Sequence, residues 1–197
     1  SLPELVDAIK GVPAFACSFL QVAMFWYAHS RWSRRYGLDD PGSVWLSLLL
    51  VFLVMVYVYP LKILFGTFFS WISGGWIPWQ VDGYGDIKLM FMIYGIAFCT
   101  LSLCMAALFG RARRLADEIG LGREERAHTF ADITQWRLSA FIGALSALCA
   151  FLMPERPAPW LAGLPGMVYF LMNLHWPVSR LAYRRALRNT PVAAGAP

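Results

Sequence analysis

Three histidines, four cysteines and one Gly-Tyr-Gly are the residues of this chain with the widest chemical range. His128 shares a basic stretch with Glu124, Glu125 and Asp132, the composition of a solvated helical face. His175 precedes Trp176-Pro177 at the edge of an apolar run, where both ring residues suit a membrane boundary. Cys17, Cys99, Cys104 and Cys149 all fall inside apolar segments and read as small hydrophobes, with neither a CxxC nor a zinc spacing. GxSxG, HExxH and P-loop patterns are absent from the sequence. The expectation is a protein that is not an enzyme and uses no cofactor and no metal.

Two motifs remain. In an ion filter, a Gly-Tyr-Gly preceded by Thr-Val lines up backbone carbonyls that replace an ion's hydration shell. Here Asp82 stands before Gly83-Tyr84-Gly85, and Gly74, Gly75 and Pro78 occupy the stretch that a pore helix would need. The motif therefore reads as a turn entering a helix. The second is Phe25-Trp26-Tyr27-Ala28-His29-Ser30-Arg31-Trp32, which closes an apolar run. An ionisable side chain at that place is costly unless it is paired, which makes His29 the candidate polar contact of a bundle.

The elements that position these residues follow from composition. Of 197 residues, 58% are hydrophobic and 15% charged, against about 25% charged in a soluble domain. Mean hydropathy is +0.52. Apolar runs of this length are spanning helices, because about 20 residues at 1.5 Å each cross the hydrocarbon. Five are read: 11–29, 43–65, 87–109, 136–153 and 159–178. The second opens on Asp39-Asp40-Pro41-Gly42-Ser43, a turn with an N-cap. The fifth carries Pro165-Gly166 as a kink. Residues 66–86, with Phe68, Phe69, Trp71, Trp76 and Trp79, read as an interfacial loop or short amphipathic helix. The fold class expected is all-α: a multi-pass transmembrane helical bundle forming one domain over 1–189, with a disordered tail at 190–197.

Charge sets the orientation. Arg31, Arg34 and Arg35 lie in one loop; Arg111, Arg113, Arg114, Arg123 and Arg126 in another; Arg180, Arg184, Arg185 and Arg188 in the tail. The opposite side offers Lys10, Lys62, Lys88 and Arg156. Twelve against four puts the basic loops and the C-terminus in the cytoplasm of a cell-membrane protein. The net charge of +5 is thus spent on membrane orientation, and no nucleic-acid partner is expected. Five spans place the two ends on opposite sides, so the sequence reads as if one earlier helix preceded it.

Trp-x-x-His-x-Arg at Trp26, His29 and Arg31, then a basic loop and an apolar helix ending in Tyr59-Pro60, resembles the TMEM175-type potassium channel family. Ile93-Tyr94-Gly95 and the loop Gly110-Arg111-Ala112-Arg113-Arg114 are similar too, and the likeness covers most of 10–187. The family is a six-helix module whose pattern more often has Asn and a second His where Ala28 and Ser30 stand. Its first helix carries Arg-x-x-x-Phe-Ser-Asp and the pore constriction; that motif is absent from this sequence, so the five spans correspond to the family's second to sixth helices. The resemblance implies a homotetramer in the lipid bilayer that conducts potassium ions passively past a hydrophobic constriction. In it, Trp26 and His29 would brace the pore helix. The alternatives are a small secondary transporter or a non-conducting membrane assembly partner. Against the transporter, no Asp or Glu lies deep in a span and only the fifth span is interrupted.

Overall fold

The computed structural model describes residues 2–77 and 81–189. The described residues are helical with no strand. Helix α1, Leu2–Lys10, meets α2, Val12–Tyr36, at Gly11, with a proline in the first turn of α2. Helix α2 stops at Gly37, whose φ of 55° is open to glycine and whose N–H bonds the Ser33 carbonyl at 2.9 Å. Three residues later Asp40 caps α3, Pro41–Ile72, by accepting from the Gly42 and Ser43 N–H groups at 3.0 and 3.2 Å. The Asp-Asp-Pro-Gly-Ser run is the N-cap turn its composition suggests.

Helix α3 continues beyond the apolar stretch read at 43–65, so Phe68, Phe69 and Trp71 belong to its last turns rather than to a separate loop or short helix. Pro60 removes one backbone donor, but nothing stops the helix until Gly74 and Gly75, at φ 64° and 89°. The turn that follows is fastened by Ser70 Oγ donating to the Ile77 carbonyl at 2.8 Å. Pro78 and Trp79 lie outside the described residues, as does the tail reading at 190–197.

Helices α4, Tyr84–Arg114, and α5, Arg123–Leu152, form an antiparallel hairpin that is the most extensive helix pair. Small side chains allow it. A Cβ on Gly95 would stand 2.7 Å from the Ala147 nitrogen and the Gly143 carbonyl oxygen. One on Gly143 would stand 2.8 Å from the Cys99 nitrogen. The backbones touch there, as membrane helices do where small residues face each other. Helix α5 begins well before the apolar stretch at 136–153, because Glu125 reaches back to the Gly122 N–H at 2.9 Å and starts a helical turn outside it.

The stretch read as a fifth span is not one helix. It divides into α6 (Pro159–Ala162), α7 (Leu164–Met167), a 3₁₀ segment (Val168–Leu174) and α8 (His175–Asn189). Gly163, which separates α6 from α7, and Pro165, which has no N–H to donate, break the helix in succession, which is more than a kink. Helix α5 repairs the break: Ser146 Oγ donates to the Pro165 carbonyl at 2.9 Å, fully buried. Irregular backbone at membrane depth is tolerated where a neighbour satisfies it in this way. Three helices, α3, α4 and α5, are long and apolar enough to cross a membrane by length and composition. Helix α2 has the length, at 25 residues, but carries Gln21, His29 and Arg31.

Candidate functional site on helix α2

The C-terminal half of α2 presents one side chain per turn to a different neighbour. His29, Trp32 and Tyr36 follow at three- and four-residue spacing, so they share a helical face. His29 Nε2 meets Ser47 Oγ of α3 at 2.9 Å. Trp32 Nε1 donates to the Leu108 carbonyl of α4 at 3.0 Å, with the indole 2% exposed. Tyr36 Oη pairs with Thr129 Oγ1 of α5 at 2.8 Å. Their rings touch in series at tilted angles, His29 and Trp32 at 5.7 Å between centroids and Trp32 and Tyr36 at 6.2 Å. Below them Phe25, Leu50, Phe98, Met105 and Leu108 form the core that joins α2, α3 and α4.

Ion pairs close the same end. Arg35 approaches Asp132 at 3.4 Å and donates to the Glu125 carbonyl at 3.3 Å. Arg111, at the end of α4, donates through Nε at 2.8 Å and through Nη2 to the Asp40 carboxylate that caps α3. The Ser43 hydroxyl, Arg111 and the Ser43 N–H hold Asp40 down at about 2.

The structure sets Trp26 and His29 on one face of α2, with ring centroids 6.4 Å apart. Their surroundings differ. His29 is half-buried against α3, whereas Trp26 is 66% exposed and points away from this chain's own bundle. The other ring nitrogen of His29 has no hydrogen bond among the described residues. Trp26, Tyr27 and Trp45 thus leave a large aromatic surface outside the fold.

Sequence reasoning named Trp32, Asp40, Arg111 and Asp132 without their partners and did not name Tyr36. The recurrence 29, 32, 36 was the available signal for Trp32 and Tyr36; the ion pairs span 71 and 97 residues and leave none. His175, read as an interfacial residue, bonds α5, with Nε2 at 3.0 Å from Ser139 Oγ and Nδ1 at 3.4 Å from Gln135. His128, on an exposed face, meets the Tyr183 ring of α8 at a tilt, with centroids 4.4 Å apart.

Gly83-Tyr84-Gly85 opens α4. Gly83 is its N-cap in extended conformation, and the Gly83 carbonyl accepts from the Ile87 N–H at 3.2 Å. A carbonyl committed to the first helical turn is not aimed at an ion. Among the described residues no group of three or more His, Cys, Asp or Glu side chains is placed to hold a metal.

No protein-family model matches the sequence. A protein of Marivirga tractuosa described as a potassium channel is 28% identical over 180 residues, covering 85% of this chain and 70% of that protein. The crystal structure of a variant of the potassium channel MtTMEM175, in complex with a nanobody–MBP fusion, superposes with a TM-score of 0.75. It is 24% identical and covers 96% of this chain and 83% of that one. Over 96% of its length, this chain therefore has the all-α membrane fold of the TMEM175 type.

Proposed function

We propose that this chain is a subunit of a potassium-permeable cation channel, a passive conductor rather than an enzyme or a pump. The observation that carries the reading is the agreement of fold along 96% of the chain with a solved potassium channel. A sequence relative described in the same words supports it. In this reading four copies form a homotetramer in the lipid bilayer and share one pore with a hydrophobic constriction. The aromatic face around Trp26 is where another helix of the assembly docks, and His29 meets that helix with the ring nitrogen that Ser47 does not use. In a bilayer such a contact is driven by packing and polar pairing, not by escape from water. The three Arg-rich segments lie in the cytoplasm by their excess over the opposite side.

The test is ion flux in liposomes containing the purified protein. A channel gives potassium flux that rises linearly with driving force, and His29→Ala lowers it. Saturating flux would instead mark a transporter, and no flux a non-conducting partner. External labelling of a cysteine placed at Ser33 in intact cells should fail; ready labelling would reverse the orientation.

A further inference from the structure

On the basic face, the end of α4, the start of α5 and the body of α8 enclose a cleft of about 440 Å³. Three arginines line it, one from each helix: Arg113, Arg126 and Arg185, with Phe130, Ala116 and Asn189 between them. The Arg113 guanidinium stands 4.8 Å above the Phe130 ring, which orients its plane. Arg126 is held by Nε on the Leu121 carbonyl at 2.9 Å and by Nη2 on Asp117 at 2.6 Å. Asp117 is itself 89% exposed, so it neutralises one of three charges from the rim. Arg185 has neither a hydrogen bond nor an ion pair among the described residues.

Three guanidinium groups around one cleft repel each other unless an anion joins them. Their planar forks match phosphate oxygens in pairs, which an ammonium cannot do. Two of the three are already fixed by other contacts, so less side-chain freedom is lost on binding. The floor of Phe130 and Ala116 is apolar, and the volume exceeds that of inorganic phosphate alone. Arg113 lies only a few residues past Phe109, where the apolar run of α4 ends. At 1.5 Å per residue that is about 6 Å, the depth of lipid headgroups.

We infer that this cleft is a binding site for a phosphate-bearing anion with an apolar or planar portion. Its phosphate is clamped by Arg113, Arg126 and Arg185 and its remainder rests on Phe130. Two sources carry that chemistry, an anionic phospholipid headgroup and a soluble phosphate compound. The inference does not depend on the channel reading.

The experiment uses the protein in phosphatidylcholine nanodiscs, titrated with inorganic pyrophosphate by calorimetry. In parallel, phosphatidylglycerol retained through gentle delipidation is counted by native mass spectrometry. At least one probe should bind saturably. Arg185→Gln and Arg113→Gln should each weaken it by about tenfold, the loss of a charge-assisted contact. Arg185→Lys should recover part of that. Arg180→Gln should change nothing, since Arg180 packs over Trp176 at 3.9 Å and does not line the cleft. Pyrophosphate binding identifies a soluble ligand; retained phosphatidylglycerol that pyrophosphate does not displace identifies a lipid. Absence of both overturns the inference. So does binding that Arg180→Gln weakens as much as Arg185→Gln, which is general attraction to a basic surface.

Discussion

Helices α3 and α4 have nearly the same length, at 32 and 31 residues, and both are apolar enough to cross a bilayer. Yet 56% of the most apolar stretch of α4 is buried inside the chain, against 11% for α3. Hydropathy does not explain this, because α3 is the more apolar of the two. Shape does. Helix α4 sets Gly95 and Cys99 against Gly143 and Ala147 of α5, and the backbones close on each other. Helix α3 carries Leu, Val and Phe around its whole circumference and is tied mainly through Asp40, Ser47 and the Leu46 carbonyl. In lipid an apolar side chain gains little by leaving the surface, so burial follows close packing and polar pairing instead.

The sharpest way to break the comparison is to fill the α4–α5 contact. Gly143→Leu should push the helices apart, since even its Cβ lies 2.8 Å from the Gly95 carbonyl oxygen and the Cys99 nitrogen. Overpacking costs about 1–3 kcal/mol, read as a fall in the thermal midpoint in detergent. Val51→Leu on the outer face of α3, where Val51 is 48% exposed, should stay within about 0.5 kcal/mol. Equal effects from both would mean that α3 and α4 are packed alike.

Next in size is the polar fastening of α2. Trp32→Phe keeps the ring but removes the N–H that reaches the Leu108 carbonyl, a loss of about 1 kcal/mol. A melting midpoint unchanged by this substitution would reduce the bond to a bystander of ring packing.

The link between α3 and α4 at the basic face should depend on acid. Asp40 titrates at about 2 in the folded chain, below the ordinary 3.8. A depressed carboxyl stabilises above its unfolded value, and the contribution fades as pH falls from about 4 toward 2. Asp40→Asn still caps the helix but cannot titrate. The wild-type midpoint should therefore exceed that of Asp40→Asn at pH 6 and converge on it near pH 2. A constant gap across that window would remove Asp40 from the pH dependence.

How much of this was legible in the sequence depends on how local the cause is. The α3 cap lies within Asp40-Pro41-Gly42-Ser43, so short-range chemistry reveals it, whereas α2 runs on past the apolar stretch ending at 29 and carries Arg31, Arg34 and Arg35, read as a loop, up to Gly37. The length of α3 was misjudged because charge and hydropathy mark where the hydrocarbon ends, while a helix ends where the backbone is broken, at Gly74 and Gly75. The fifth stretch was apolar enough to read as a span, but its ladder fails at Gly163 and Pro165 and survives through Ser146 of another helix. For the candidate site, His29 and Trp26 were singled out by type and position, whereas Tyr36–Thr129 and Arg111–Asp40 depend on which helices meet. That is a property of the fold and not of any one segment.

The smallest expected change in the bundle comes from Trp26. With 66% of the residue exposed, Trp26→Ala removes little packing from this chain, and its melting midpoint should move by no more than about 0.5 kcal/mol equivalent. An indole on the outside of a membrane bundle, beside a histidine with a ring nitrogen to spare, nonetheless has a use if a further helix packs there. Trp26→Ala should then lower potassium flux and shift the particle mass measured in detergent, although each chain folds as before. His29→Ala should do the same and also loosen α2 from α3, because Ser47 loses its partner. His29→Gln, which can still reach Ser47, separates the two effects: it should hold the melting midpoint while flux remains low. If Trp26→Ala leaves flux and particle mass unchanged, the exposed aromatic face meets only lipid. The contrast between α3 and α4 would then describe a finished bundle rather than one side of a larger assembly.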